Sequence, residues 1–401
     1  MKVTISKGKV SGEVIAPPSK SFAHRQLICS ALSGKKCTVK GIVDSEDMLA
    51  TLDCLKALGY TYRKTENQVE FLGERVDSTS VFNCRESGST LRFMLPVSLC
   101  FCDDATFLGS EKLISRGIGI YQQIFGEKGV KLTVGKDCVK THGRLKSGDY
   151  KIMGNLSSQF VTGMFFALPL LRGDSTVEIL PPIESKSYIN ITLRVLKTFG
   201  INIVESSPNL YEIKGGQTYK NIDSVVEGDW SNAAFLFALK ELGGELLIKG
   251  LNHNSEQGDK VCVQLLSKIK SKTLDKIDLS DCPDLAPVLF AFAAVNGGAT
   301  FVGTKRLKIK ESDRATAMQT ELKKFGVEVE VKENEVTVFE GKIQTPAQTL
   351  YGHNDHRIVM SLAILCTITG GQIEGAEAIK KSYPSFFKVL SDLNIKVEYE
   401  Y

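Results

Sequence analysis

The chain carries one pattern six times over. Each copy is an amphipathic stretch built on Leu or Ile, then a turn residue, then an alternating strand-like run. The copies are LDCLKALGYTY from Leu52, IYQQIFGEKGVKLTV from Ile120, ITLRVLKTFGINIV from Ile191, VQLLSKIKSKTLDKI from Val263, MQTELKKFGVEVEV from Met318 and FKVLSDLNIKVEYEY from Phe387. The turn residues are Gly59, Gly129, Gly200, a position near Lys270, Gly326 and Asn394. Gly and Asn tolerate the left-handed backbone that closes a helix ahead of a strand. The first three turns stand roughly 70 residues apart, as do the last two, and such a period marks a repeated structural unit. An ordinary α/β fold with decorated hairpins is the alternative, and it does not account for the sixfold spacing.

A second periodic element runs in step with the first. Apolar, Ala-rich helices are predicted at Ser21–Ser33, Thr90–Cys102, Ser157–Leu171, Ser231–Leu242, Ala286–Asn296 and His356–Thr367. Each precedes a Gly-containing turn and a short strand such as CTVKGI, STVEIL, ELLIKGL or ATFVGT. A helix that is apolar nearly all round has to be buried. Each unit therefore pairs one buried helix with one half-exposed helix under covering strands. With 401 residues the chain exceeds a typical single core, and three units per domain give two similar α/β domains. The expected borders are residues 19–227 for one domain and 228–401 for the other. Residues 1–18 form an N-terminal strand that joins the second.

Charge narrows the function. The 50 basic and 46 acidic side chains leave a net charge of +4, and the two signs are interspersed. A nucleic-acid binder carries a denser basic face with interleaved aromatics. The ten cysteines are scattered, and no CxxC pair exists to hold structural zinc. Free cysteines at this density point to a reducing compartment, hence the cytoplasm. No signal peptide, membrane span or coiled-coil heptad is expected, so the chain is read as a cytoplasmic monomer without metal or organic cofactor.

Polar residues collect where the buried helices begin. APPSKSFAHR puts Lys20, Ser21 and Arg25 at the first start. RESGSTLR supplies Gly88, Ser89, Thr90 and Arg92, and NLSSQF supplies Ser157, Ser158 and Gln159. GDWSNAA, CPDLAP with Asp284, and HNDHR with Asp355, His356 and Arg357 open the other three. Helix N-termini offer unpaired amides and a positive dipole end, a setting for anions. Simple capping also accounts for a residue such as Ser157. No Walker loop or GxGxxG pattern supports a nucleotide site. Outside the helix starts, KIKESDR spans Lys308–Arg314, and on a helix Lys310 and Arg314 would share a face. A solvated charge run reads the same way. Arg116 lies in KLISRGIG and Lys381 in EAIKKSYP.

With these residues in order, the chain resembles the 5-enolpyruvylshikimate-3-phosphate synthase family of enolpyruvyl transferases. PPSKSFAHR, SGSTLR, NLSSQF, SKSYI, CPDLAP, KIKESDR, NDHR and KKSYP follow one another as in that family, over essentially the whole chain. The resemblance implies two inside-out α/β domains, each of three βαβαββ-type repeats, with the active site in the cleft between them. It implies 3-phosphoshikimate 1-carboxyvinyltransferase activity: shikimate 3-phosphate and phosphoenolpyruvate bind, and the enolpyruvyl group is transferred as phosphate leaves. It places shikimate 3-phosphate in the 19–227 domain. Ser21 and Arg25 would hold its carboxylate, and Ser157, Ser158 and Ser185 its phosphate, with Tyr188 nearby. Gln159 would touch both ligands. Lys20, Gly88, Arg116 and Lys381 would surround the phosphoenolpyruvate phosphate, and Arg314 and Arg357, with His356 beside them, its carboxylate. Asp284 and Lys310 would face the attacking hydroxyl, with Asp284 as base. Glu311 would protonate the methylene carbon, sharing that role with Lys20. Two departures from the family pattern are Glu86, where asparagine is usual, and Ser89 for threonine. Competing readings are a UDP-N-acetylglucosamine enolpyruvyl transferase, whose opening would carry KN where this chain has Lys20-Ser21, and a non-catalytic anion-binding protein of the same fold.

Overall fold

The computed structural model describes residues 1–273 and 275–400. Its chain divides into two compact units, Lys20–Glu227 and Met1–Ser19 with Gly228–Tyr401. Each has a hydrophobic cluster of its own.

The repeat is visible in the sheets. In the Lys20–Glu227 unit the strands Ser224–Val225, Lys36–Lys40, Gln68–Arg75 and Tyr60–Lys64 lie side by side in that order. The first pair is parallel and the next two pairs are antiparallel. The same succession recurs in the sheets containing Asp104–Leu108 and Ser175–Leu180. In the other unit it recurs around Ala299–Val302 and Gly371–Glu374. The N-terminal strand Lys2–Ile5 is an inner member of this last sheet, between Gly371–Glu374 and Val397–Glu400.

The fourth copy departs from expectation. Its helix Cys262–Ser271 closes on a left-handed Lys272 (φ +53), but no strand of its own sheet follows. The next strand, Ile277–Asp278, already belongs to the neighbouring sheet. The fourth sheet is the parallel pair Glu245–Lys249 and Ser11–Ile15. Ser11–Ile15 fills the parallel-partner position there, as Ser224–Val225 does beside Lys36–Lys40, and the two antiparallel strands of the other sheets have no counterpart among the described residues. Elsewhere Gly59, Gly129, Gly200, Gly326 and Asn394 all have positive φ, where glycine costs nothing and asparagine little.

The six Ala-rich segments are helices at Lys20–Leu32, Gly88–Ser98, Ser158–Ala167, Trp230–Glu241, Ala286–Val295 and His356–Thr369. Every residue named from Ala286 to Ala294 is buried, as an all-round apolar helix requires. The third stops earlier than its apolar run: Pro169 turns Leu168–Leu170 into a 3-10 segment.

Two of these helices are locked together closely. Pro96 lacks an N–H, so the carbonyl of Arg92 loses its helical donor. The Tyr121 hydroxyl donates to it instead at 2.7 Å. Gly163 makes room: a Cβ there would lie 2.3 Å from both the Arg92 carbonyl oxygen and the Tyr121 hydroxyl. The Gly88 and Ser158 helices thereby bring their first turns side by side.

Candidate active site

The consequence of that packing is a polar cluster in the Lys20–Glu227 unit. Arg92 Nη1 donates to Gln159 Oε1 at 2.8 Å, and Gln159 Nε2 donates to Ser89 Oγ at 2.9 Å. A Cβ on Gly88 would stand 2.8 Å from Arg92 Nη1 and 3.2 Å from Arg116 Nη1. Gly88, Arg116 and Gln159 are thus gathered at two helix starts, and Arg92 is the centre that the expected set lacked. Ser87 and Ser157 cap these helices by accepting from the Thr90 and Gln159 amides. Capping and a side-chain hydrogen-bond network therefore coexist at the same turns.

Lys20 opens its helix and its Nζ pairs with Asp47 Oδ2 at 2.7 Å, a partner not expected from the sequence. Arg25 is only 2% exposed. Its guanidinium donates to the Ser21 carbonyl at 2.7 Å, Thr192 Oγ1 at 2.8 Å and the Tyr188 carbonyl at 3.1 Å. Burial lowers its pKa to about 10, which leaves it charged. Arg25 therefore ties Ser21 to Tyr188 across two helices. Ser158 and Ser185 are both buried, and Ser185 starts its helix in the left-handed region (φ +57).

In the other unit the charged residues converge on Asp284. Its Oδ1 accepts from Lys310 Nζ at 3.1 Å and from Arg314 Nη1 at 2.8 Å. Its Oδ2 and main-chain carbonyl accept from Arg357 at 3.3 and 3.1 Å. Arg314, 1% exposed, also holds Glu311 Oε2 at 2.7 Å and Asp355 Oδ2 at 2.8 Å. Its fork is filled by carboxylates of the chain itself. Burial alone would raise the Asp284 pKa, but Arg357, Lys310 and Arg314 outweigh it and hold the carboxyl well below the usual range. Burial lowers Lys310 against the pull of Asp284. Lys381 Nζ donates to the Asn354 carbonyl at 2.7 Å, and His356 is buried at the first turn of its helix.

The stretch Lys308–Arg314 is not one helix. Lys305–Ile309 is a 3-10 turn and Lys310 is extended; the α-helix begins at Arg314. Asp313 is the reason, since its side chain caps that helix through the Thr316 amide. Lys310 and Arg314 meet on Asp284 from a turn and a helix start, not from one helical face. Asp259 was also missed. It is buried, accepts from the Ser231 hydroxyl, and burial together with the Asp284 charge raises its pKa to about 7. Nothing in GDKV marks it out, because only the fold brings it towards Asp284. Among the described residues no group of three or more His, Cys, Asp or Glu could hold a metal ion, and no helix is long and apolar enough to cross a membrane.

The fold is shared with known enolpyruvyl-transfer enzymes. The chain superimposes on EPSP synthase from Acinetobacter baumannii with a TM-score of 0.80 at 20% identity, covering 100% of both chains. It superimposes on the enolpyruvyl transferase NikO from Streptomyces tendae with a TM-score of 0.74 at 14% identity, covering 99% of this chain and 98% of that one. Sequence takes the assignment further. The family model for EPSP synthase (3-phosphoshikimate 1-carboxyvinyltransferase) matches residues 5–390. The 3-phosphoshikimate 1-carboxyvinyltransferase of Clostridium kluyveri is 40% identical over 420 residues, covering 99% of this chain and 98% of the relative. The chain belongs to the EPSP synthase family and is a transferase of that type.

Proposed function

We propose that the chain transfers the enolpyruvyl group of phosphoenolpyruvate to the 5-hydroxyl of shikimate 3-phosphate, releasing phosphate. The observation that carries this reading is the acid pair on one guanidinium: Arg314 holds Asp284 through Nη1 and Glu311 through Nη2. Addition to an enol phosphate needs a base for the attacking hydroxyl and an acid for the methylene carbon. Asp284 takes the hydroxyl proton as the oxygen attacks C2, and Glu311 protonates C3, with Lys20 sharing that duty. A tetrahedral phosphate ketal results. Its C2–O bond to phosphate then breaks, C3 returns a proton, and the double bond re-forms.

Asp284 is a weak base while three cations hold it. An anionic substrate on Arg357 and Lys310 would draw those charges away and raise its basicity. Arg357 serves the phosphoenolpyruvate carboxylate, as does Arg314 once it exchanges one of the chain's own carboxylates for the substrate's, with His356 beside them; Lys20, Gly88, Arg116 and Lys381 serve its phosphate. Ser21 and Arg25 serve the acceptor carboxylate. Ser157, Ser158, Ser185 and Tyr188 serve the acceptor phosphate, and Gln159 serves both ligands.

The fold by itself does not choose the acceptor. The deciding experiment measures phosphate release from phosphoenolpyruvate with shikimate 3-phosphate and, separately, with UDP-N-acetylglucosamine. Turnover with the first alone is expected. Release only with the sugar nucleotide, or with neither, overturns the proposal.

A further inference from the structure

The groups above use the start of the Arg314 helix and leave its middle unexplained. Two turns on, that helix carries Glu321, 1% exposed. A buried carboxylate needs partners to offset its lost hydration. Glu321 accepts from the Tyr351 amide at 2.9 Å, from His353 Nε2 at 3.0 Å and from Lys324 Nζ at 2.9 Å. Lys324 also donates to the Thr349 carbonyl at 3.1 Å. Burial would push the Glu321 carboxyl up, but these bonds keep it below its ordinary value and ionised. Everything Glu321 grips, Lys324 aside, lies on the segment 349–353 that runs into Asp355.

The same helix holds the far end of that segment, because Arg314 Nε donates to Asp355. Between the two anchor points His353 and Asn354 are both left-handed, with φ of +51° and +53°. Asparagine is tolerated there, so the cost falls mainly on His353, whose conformation is the one that Glu321 holds. The turn orients two groups. The Asn354 carbonyl receives Lys381 Nζ, and Asp355 accepts the Arg357 amide at 2.9 Å.

We propose that Glu321 and His353 are positioning residues that hold the left-handed His353–Asn354 turn and so aim Lys381 and Arg357 at the phosphoenolpyruvate subsite. This rests on the function proposed above. Both act through Lys381 and Arg357 and touch no reacting atom. Loss of the His353 bond loosens one substrate's site and leaves the other's alone.

His353→Ala removes the bond and disfavours positive φ, whereas His353→Gln keeps a donor. We expect His353→Ala to raise KM for phosphoenolpyruvate about tenfold, with kcat and KM for shikimate 3-phosphate within about twofold, and His353→Gln to restore most of the loss. Amide hydrogen exchange across residues 353–357 should quicken in His353→Ala and return towards the native rate in His353→Gln. An unchanged KM for phosphoenolpyruvate, or equal losses in both KM values and kcat, overturns the proposal. If the native protein does not turn over these substrates, the function falls but the exchange measurement still decides the turn. Unaltered exchange at 353–357 in His353→Ala overturns its anchoring. Glu321→Gln tests the other partner, and His353→Ala decides alone should that variant not fold.

Discussion

At the scale of single residues, Asp284 and Asp259 occupy opposite electrostatic settings in the same unit. Asp284 is surrounded by Lys310, Arg314 and Arg357, so its charge is favoured. Asp259 is buried with the Asp284 charge acting on it, so its charge is opposed and its pKa rises from 3.8 to about 7. A carboxyl raised in the folded state binds more protons folded than unfolded between those two values. Its penalty on stability is therefore absent below the lower value, grows as pH rises through the window, and is complete above the upper one. Asp259→Asn removes the titration and keeps an acceptor for Ser231. The variant should melt higher than the parent at about pH 8, with the gap closing towards about pH 4. Calorimetry across that range checks it; a gap that widens on acidification would be the wrong sign.

At the scale of elements, the alignment of helix starts depends on a few backbone arguments. Pro96 frees the Arg92 carbonyl, Tyr121 satisfies it, and Gly163 lets the two helices approach. Tyr121→Phe leaves that buried carbonyl without its donor and should cost about 1–3 kcal/mol in urea unfolding. A loss under about 0.5 kcal/mol would mean another group takes over the acceptor. Much at this scale was legible in the sequence: the six buried helices, the left-handed turns, and the polar residues at the starts. The KIKESDR stretch stayed open between a helical face and a solvated charge run, because a charge pattern does not reveal that Asp313 is a cap. The strand expected after the fourth turn has no counterpart in that sheet among the described residues, which only strand pairing reveals.

At the scale of the molecule, each unit carries its own hydrophobic cluster, one including Phe93, Phe165 and Tyr211, the other Trp230, Phe290 and Phe386. Trp230 is the only tryptophan of the chain. Its fluorescence therefore reports one unit, while far-ultraviolet circular dichroism reports both. With separate cores, the two signals should show non-coincident midpoints in urea. Coincident transitions would show that the units unfold as one.

The sequence by itself determined the sixfold repeat, the burial of the Ala-rich helices and the residue types at their starts. Periodicity and backbone freedom are local properties, written within each repeat. It also carried the ordered motifs that mark the family. Partnership was decided only by the tertiary structure. Lys20 is paired with Asp47, Arg92 with Gln159, and Arg314 with three separate carboxylates. Apart from Glu311, three residues before Arg314, these partners lie far apart in the chain, so no spacing along it encodes them. The ionisation of Asp284, Asp259 and Glu321 is likewise decided by the fold, because a pKa is set by burial and by which charges and donors are brought near.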